Sequence, residues 1–165
     1  MVTVATLLAV FPRLEGFLFH DHYPLIVAVL LIWLIRDGSV WFRSRVERPG
    51  WRGGWDRALT GTSVAFAVGL GLLVGNLLVA EPGAGTVWMP FGWYPLLWAL
   101  TAAGVFTVHG AVFLAVRMPD DLVGASVRTA RRWAPPVAAL NTVVVAVGLI
   151  PGTVPLQPGA RVPMA

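Results

Sequence analysis

The sequence predicts an all-α integral membrane protein: a helical bundle of four transmembrane spans plus an N-terminal partial helix. Mean hydropathy is +0.75, and only 12% of the residues are charged, about half the share found in soluble domains. Four apolar runs approach the roughly 20 residues needed to cross a ~30 Å hydrocarbon core. Residues 1–150 therefore form one bundle. The absence of cysteine excludes disulfides, iron–sulfur clusters and thiolate metal sites.

The chain begins with a partial helix, predicted over residues 1–19. Its apolar run stops at Phe11, before Pro12 and Arg13, which is too short for a complete span. It lacks the basic region and the small-residue cleavage site of a signal peptide. The polar residues 20–22, His-Asp-His, follow. We interpret them as a solvated turn, because neighbouring residues on a helix point in different directions and cannot share a metal.

The first two spans are predicted over about residues 23–43 and 58–80. Pro24 stands in the first turn of the first span, where proline is favoured. Between the spans, residues 44–55 contain Pro49 and three glycines, which predict a short surface turn. The second span has no charged residue and many small ones. Since small residues let helices approach closely in lipid, we expect it to pack inside the bundle.

The third span is predicted over about residues 93–116, after a loop rich in proline and glycine at 81–91. Aromatic residues concentrate at membrane interfaces, and four of them near this loop predict an aromatic belt: Trp88, Trp93, Tyr94 and Trp98. The span contains one titratable residue, His109.

A polar connection at 117–132 leads to the fourth span, predicted over about residues 133–150. Pro135 and Pro136 are expected in its first turn. Residues 151–165 have the composition of a disordered tail.

The charges of the connections predict the orientation. Residues 36–57 hold six arginines and three acidic residues, a net charge of +3, and residues 117–132 hold four arginines and two aspartates, a net charge of +2. The alternate loop at 81–92 carries only Glu81. Because positive loops stay inside, both arginine loops are predicted in the cytoplasm and the C-terminal tail outside. The pI near 11 therefore reflects topology, and no nucleic-acid partner is expected.

Few residues suggest chemistry. His109 is the only ionisable side chain well inside a span, so a haem ligand or a proton relay is conceivable. No second histidine, methionine or carboxylate stands at ligand spacing, which favours a neutral histidine hydrogen-bonded between helices, and Asn76 is interpreted in the same way. Trp55 is an expected interfacial anchor, with Asp56 at the positive end of a helix dipole. The sequence predicts no catalytic, cofactor-binding or metal-binding residue.

One stretch, from Arg36 to Leu78, resembles subunit II of the cytochrome bd quinol oxidases. The residues that carry the resemblance are Arg36, Phe42-Arg43-Ser44-Arg45, Trp51-Arg52, Trp55-Asp56 and Gly75-Asn76-Leu77-Leu78. It continues through Tyr94-Pro95-Leu96, His109-Gly110-Ala111 and Arg117, and begins upstream at Phe11-Pro12 and Tyr23. It covers about residues 5–133.

The resemblance implies a place in a terminal oxidase of the bacterial inner membrane, which takes electrons from quinol and reduces oxygen to water. In that family, subunit I holds the three haems and the quinol-oxidising loop. Subunit II packs against it, supports assembly of the haem-bearing subunit, and can bind a structural quinone or lipid. The chain would then have no catalytic residue of its own. The residues expected to anchor and pack it are Arg36, Arg43, Trp55, Asp56, Asn76 and His109.

The chain also departs from the family pattern. It corresponds to roughly the first half of a family member, without the opening helix, the Trp-Asp-Gly-Asn element or the second four-helix half. Trp41 stands where an acidic residue is common, and Tyr94 where asparagine is common. A gene-model fragment, a misplaced start and a reduced paralogue all fit. The alternative functions are a small transporter-like or channel-like protein that works without an oxidase partner, and a non-functional fragment.

Overall fold

The computed structural model describes residues 22–79, 91–118 and 120–150, and these residues form four helices. They are α1 (Tyr23–Arg43), α2 (Pro49–Val79), α3 (Trp93–Arg117) and α4 (Asp120–Leu149). All four are long and apolar enough to cross a membrane. The predicted fold class, an all-α membrane bundle, is confirmed. The predicted partial helix at 1–19, Glu81, Trp88 and the tail at 151–165 lie outside the described residues.

Helices α1 and α3 lie where hydropathy predicts them. Pro24 occupies the first turn of α1, where its missing N–H costs no hydrogen bond. Both helices end in arginine, at Arg43 and Arg117, where a positive charge is favourable at the negative end of the helix dipole.

Helix α2 begins earlier than predicted, at Pro49. The expected surface turn at 44–55 is therefore wrong beyond residue 48. Three glycines in the first turns disfavour a helix by about 1 kcal/mol each, but Trp51 and Trp55 lie one turn apart and pack together with α1. With 31 residues, α2 is about 46 Å long and extends beyond a ~30 Å hydrocarbon core.

Helix α4 also begins earlier than predicted, because the connection at 117–132 is helical from Asp120 onward. Pro135 and Pro136 consequently lie inside α4, and their expected place in its first turn is wrong. Proline cannot donate to the carbonyl four residues back, so the carbonyls of Arg131 and Arg132 lose their usual helical partners. These carbonyls lie at the polar end of the apolar segment.

The helices pack in chain order, α1 on α2, α2 on α3 and α3 on α4, each pair antiparallel. Helices α2 and α3 each lie between two neighbours, and α2 has the largest buried share of the four. This agrees with its many small residues, which let neighbouring helices approach closely. Both arginine-rich connections lie at the same end of the bundle, which we call the arginine-rich end.

Small residues set the closest approaches between the helices. A Cβ atom on Gly71 would lie 2.5 Å from the Cα atom of Ala99 on α3. Gly75, one turn further along α2, packs in the same way against Pro95. This four-residue spacing of glycines brings two backbones into contact, which is how transmembrane helices commonly associate.

Candidate functional site

The candidate site lies at the arginine-rich end, where the last turns of α1 meet the first turns of α2. We call it the α1–α2 junction and define it by six side chains: Arg36, Phe42, Arg43, Trp51, Trp55 and Asp56. Four of these were predicted from the sequence as anchoring residues. The structure places Arg43, Trp55 and Asp56 side by side from two helices, and Arg36 lies two turns earlier in α1, where it contacts Ser63 of α2.

Aromatic stacking holds one side of the junction. The rings of Phe42 and Trp55 stack with centroids 5.2 Å apart, and Trp51 meets Trp55 edge-on at 5.7 Å. The indole Nε1 of Trp51 also donates to the main-chain oxygen of Phe42 at 2.8 Å. That oxygen lies in the last turn of α1 and also accepts the backbone N–H of Arg45 at 3.2 Å. Trp55 is thus an anchor between helices as well as an aromatic residue near an interface.

Polar contacts hold the other side. The Nε of Arg43 donates to Oδ1 of Asp56, and both side chains are about half exposed. Two turns earlier in α1, Nε of Arg36 donates to Oγ of Ser63 at 3.2 Å, while its Nη1 pairs with Oδ1 of Asp37 at 3.2 Å. An ion pair as exposed as Arg43–Asp56 stabilises a fold by about 0–1 kcal/mol. The junction therefore fixes geometry more than it adds stability.

The expected role of Asp56 at a helix N-terminus is wrong. Because α2 begins at Pro49, Asp56 is its eighth residue, and the first turn of α2 contains no acidic residue. The favourable interaction with the helix dipole is confined to the first turn. The carboxylate of Asp56 instead accepts a hydrogen bond from Arg43 on α1.

Asn76 lies in the tightly packed part of α2 and is 8% exposed. Its Nδ2 donates to the main-chain oxygen of Leu72 at 2.7 Å, one turn back in the same helix. The contact between helices that the sequence suggested for Asn76 stays a prediction. Its neighbour Gly75 shows why a short polar side chain fits here, since the α3 backbone passes immediately beside it.

His109 lies on an exposed face of α3. It lines a groove of about 370 Å³ between α3 and α4, together with Asn141 and aliphatic side chains. It forms no hydrogen bond or ion pair with the described residues, so its predicted bond to another helix stays a prediction. The sequence does not show whether this face of α3 points toward a neighbouring helix or away from the bundle.

His22, predicted as part of a solvated turn, is fully buried where α1 begins. That interpretation is wrong for His22, while His20 and Asp21 lie outside the described residues. Within the described ranges no three histidine, aspartate or glutamate side chains come together as a metal site.

Tyr94 makes a polar contact between α3 and α4 that was not predicted from the sequence. It was predicted in an aromatic belt, but it is 3% exposed, and its hydroxyl lies 3.4 Å from the main-chain oxygen of Val144 on α4. Gly148 has no side chain, and this leaves space for the hydroxyl of Tyr94. The belt prediction is wrong for Tyr94, whereas Trp93 is exposed. The pairing could not be found from sequence because it joins positions 50 residues apart.

The sequence matches the family "Cytochrome bd terminal oxidase subunit II" over residues 1–164. This match extends the resemblance, which rested on residues 5–133, to nearly the whole chain. A comparison with curated proteins found no significant match.

Proposed function

The chain belongs to the cytochrome bd terminal oxidase subunit II family, and from this premise we propose that it is the haem-free partner of a haem-bearing subunit I. The complex would take electrons from quinol and reduce oxygen to water. Haem ligation and quinol oxidation are assigned to subunit I. This chain packs against subunit I within the membrane and supports its assembly.

The α1–α2 junction is the observation that carries this proposal. Its charged and aromatic groups bind one another: Arg43 contacts Asp56, Arg36 contacts Ser63, and Trp51 contacts the α1 backbone. Groups committed to such pairs hold helices in register. A catalytic centre would instead leave reactive side chains free to meet a substrate in a cleft. The junction therefore suits a scaffolding role.

The surroundings of His109 support placing haem ligation in another subunit. Its groove is lined by valines, alanines and Asn141, and haem iron in proteins is held by histidine, methionine, cysteine or tyrosine. Among the described residues, no second such ligand lines this groove, so His109 could hold only a haem with a single protein ligand. We propose that His109 does not bind haem.

The arginine-rich end is proposed to face the cytoplasm. Both connections with net positive charge, 36–57 and 117–132, lie at that end. The charge bias of short loops sets the orientation of multi-span proteins.

The proposal is tested by purifying the affinity-tagged chain from membranes of cells that also make subunit I. We expect haem to co-elute with it, visible as a reduced-minus-oxidised difference spectrum. The variant His109→Ala should retain the same haem content per chain, because the ligands lie in the partner. A tagged four-span protein of similar size, unrelated in sequence, is the control for membrane carry-over.

Two outcomes would refute the proposal. One is isolation of the chain as a stable, haem-free homo-oligomer with transport activity, which would favour the transporter-like alternative. The other is loss of haem in His109→Ala while the partner protein still co-elutes, which would place a haem ligand in this chain.

A further inference from the structure

A group of three exposed arginines lies on the surface where α3 and α4 meet. Unlike the arginines of the α1–α2 junction, these three have no partner among the described residues. Arg128, Arg131 and Arg132 follow the spacing i, i+3, i+4, which places three guanidinium groups on one face of α4. All three are exposed, and none forms a hydrogen bond or an ion pair with a described residue. The arginines at the α1–α2 junction differ, because Arg36 and Arg43 have acidic partners.

An apolar groove begins directly below these arginines. Ala134, Ala138 and Asn141 continue the face of Arg131 at intervals of three or four residues along α4, and they line the 370 Å³ groove with His109 and valines of α3. Asn141 also lines an adjoining groove of about 370 Å³ that reaches α2. The arginines thus lie directly beside two adjoining apolar grooves, both of which are open at the protein surface.

We propose that this surface binds an anionic phospholipid. The lipid phosphate would lie among Arg128, Arg131 and Arg132, since guanidinium groups bind phosphate oxygens in a bidentate way. The acyl chains would occupy the two adjoining grooves. His109, in the upper groove, is placed to donate to an ester oxygen of the lipid, which satisfies a polar group that is costly to leave unpaired in hydrocarbon.

Charge alone could be explained by orientation, since arginine loops retain a segment in the cytoplasm whatever they bind. The groove distinguishes the two explanations. A purely topological role needs the arginines anywhere in the connection, whereas lipid binding needs them above a channel of the right shape. The inference does not depend on the oxidase partner, because every residue of the proposed site belongs to this chain, on α2, α3 and α4.

The test measures lipid retention by native mass spectrometry of the full chain, together with any partner it retains. Dioleoylphosphatidylglycerol and dioleoylphosphatidylcholine are supplied in equal amounts. We expect preferential retention of phosphatidylglycerol. The double variant Arg131→Gln, Arg132→Gln should weaken that retention about 25-fold, at roughly fivefold for each arginine near a membrane surface. Lysine at both positions keeps the charge but loses the bidentate geometry, so its retention should fall between that of the glutamine variant and that of the unchanged chain.

Two further variants separate the groove from the charge. Arg45→Gln with Arg48→Gln removes two exposed arginines from the α1–α2 connection and should leave retention unchanged. Ala138→Trp fills the groove without altering charge and should abolish retention, and Ala134→Leu is a milder version in case the larger residue prevents folding.

The proposal is overturned if phosphatidylcholine is retained equally, or if the Arg45 and Arg48 variant weakens retention as much as the Arg131 and Arg132 variant. It is also overturned if neither groove variant affects retention. A change of oligomeric state in the groove variants, without any loss of lipid, would show that a protein helix occupies the groove instead.

Discussion

The contact between Gly71 and α3 leads to a quantitative prediction about Gly71→Ala. The added Cβ would lie 2.5 Å from both the Cα atom of Ala99 and the main-chain oxygen of Trp98. Ordinary contact between carbon atoms requires about 3.5 Å, so the helices must separate by about 1 Å. Both opposing atoms belong to the backbone, and no side-chain rotation can relieve the overlap.

The cost of this overlap can be isolated with a matched control, Gly61→Ala. Gly61 lies in the same helix, and an added Cβ there would meet nothing within 4 Å. Both substitutions gain the same helix propensity, about 1 kcal/mol, which cancels in the comparison. Overpacking a tight interior costs about 1–3 kcal/mol. We therefore expect Gly71→Ala to be less stable than Gly61→Ala by about 1–3 kcal/mol.

The assay is equilibrium unfolding of both variants in mixed micelles with increasing dodecyl sulfate, followed by circular dichroism. The free energy of unfolding is extrapolated to zero denaturant for each variant. Equal stability of Gly71→Ala and Gly61→Ala would refute the claim that backbone contact limits the approach of α2 and α3.

Two other predictions use the same fold. Gly148→Ala should destabilise the α3–α4 contact because its Cβ overlaps the hydroxyl of Tyr94, and Tyr94→Phe should restore stability in the double variant, as measured by thermal unfolding; failure of this rescue would mean that the overlap is not the cause. Arg45→Glu with Arg48→Glu changes the net charge of the 36–57 connection from +3 to −1 and should weaken its cytoplasmic retention, measured with a reporter inserted between residues 47 and 48 of the full chain. These arginines are the suitable pair because Arg43 is engaged with Asp56, and an unchanged orientation would contradict the proposed topology.

Hydropathy was sufficient to predict the membrane-embedded segments, since apolar composition is set by lipid contact whatever the neighbours are. It failed at Pro49, because Trp51 and Trp55 stabilise helical turns that their glycine neighbours disfavour. It failed again before Trp133, where a polar segment continues as helix outside the apolar region. At Pro49 the structure depends on contacts with α1, and before Trp133 it depends on where the membrane ends. Neither can be recognised from the neighbouring residues in the sequence.

The site was predictable in part. The resemblance identified Arg36, Arg43, Trp55 and Asp56; in the structure the last three lie together and Arg36 contacts Ser63 two turns away, while their anchoring role stays a prediction. Their partners were not predictable, because the pairing of Arg43 with Asp56 depends on where α2 begins. The exposure of His109 was not predictable either, because it depends on how α3 is rotated about its axis relative to its neighbours.

The glycine contact between α2 and α3 also determines where this subunit can move. Two backbones in direct contact have no side chains between them that could change rotamer, so α2 and α3 behave as one stiff unit. Helix α1 touches α2 partly through flexible side chains such as Arg36 and Arg43, which can change rotamer while the backbones stay intact. Mechanical strain applied to the bundle should therefore appear as rotamer changes between α1 and α2 before it appears as separation of α2 from α3.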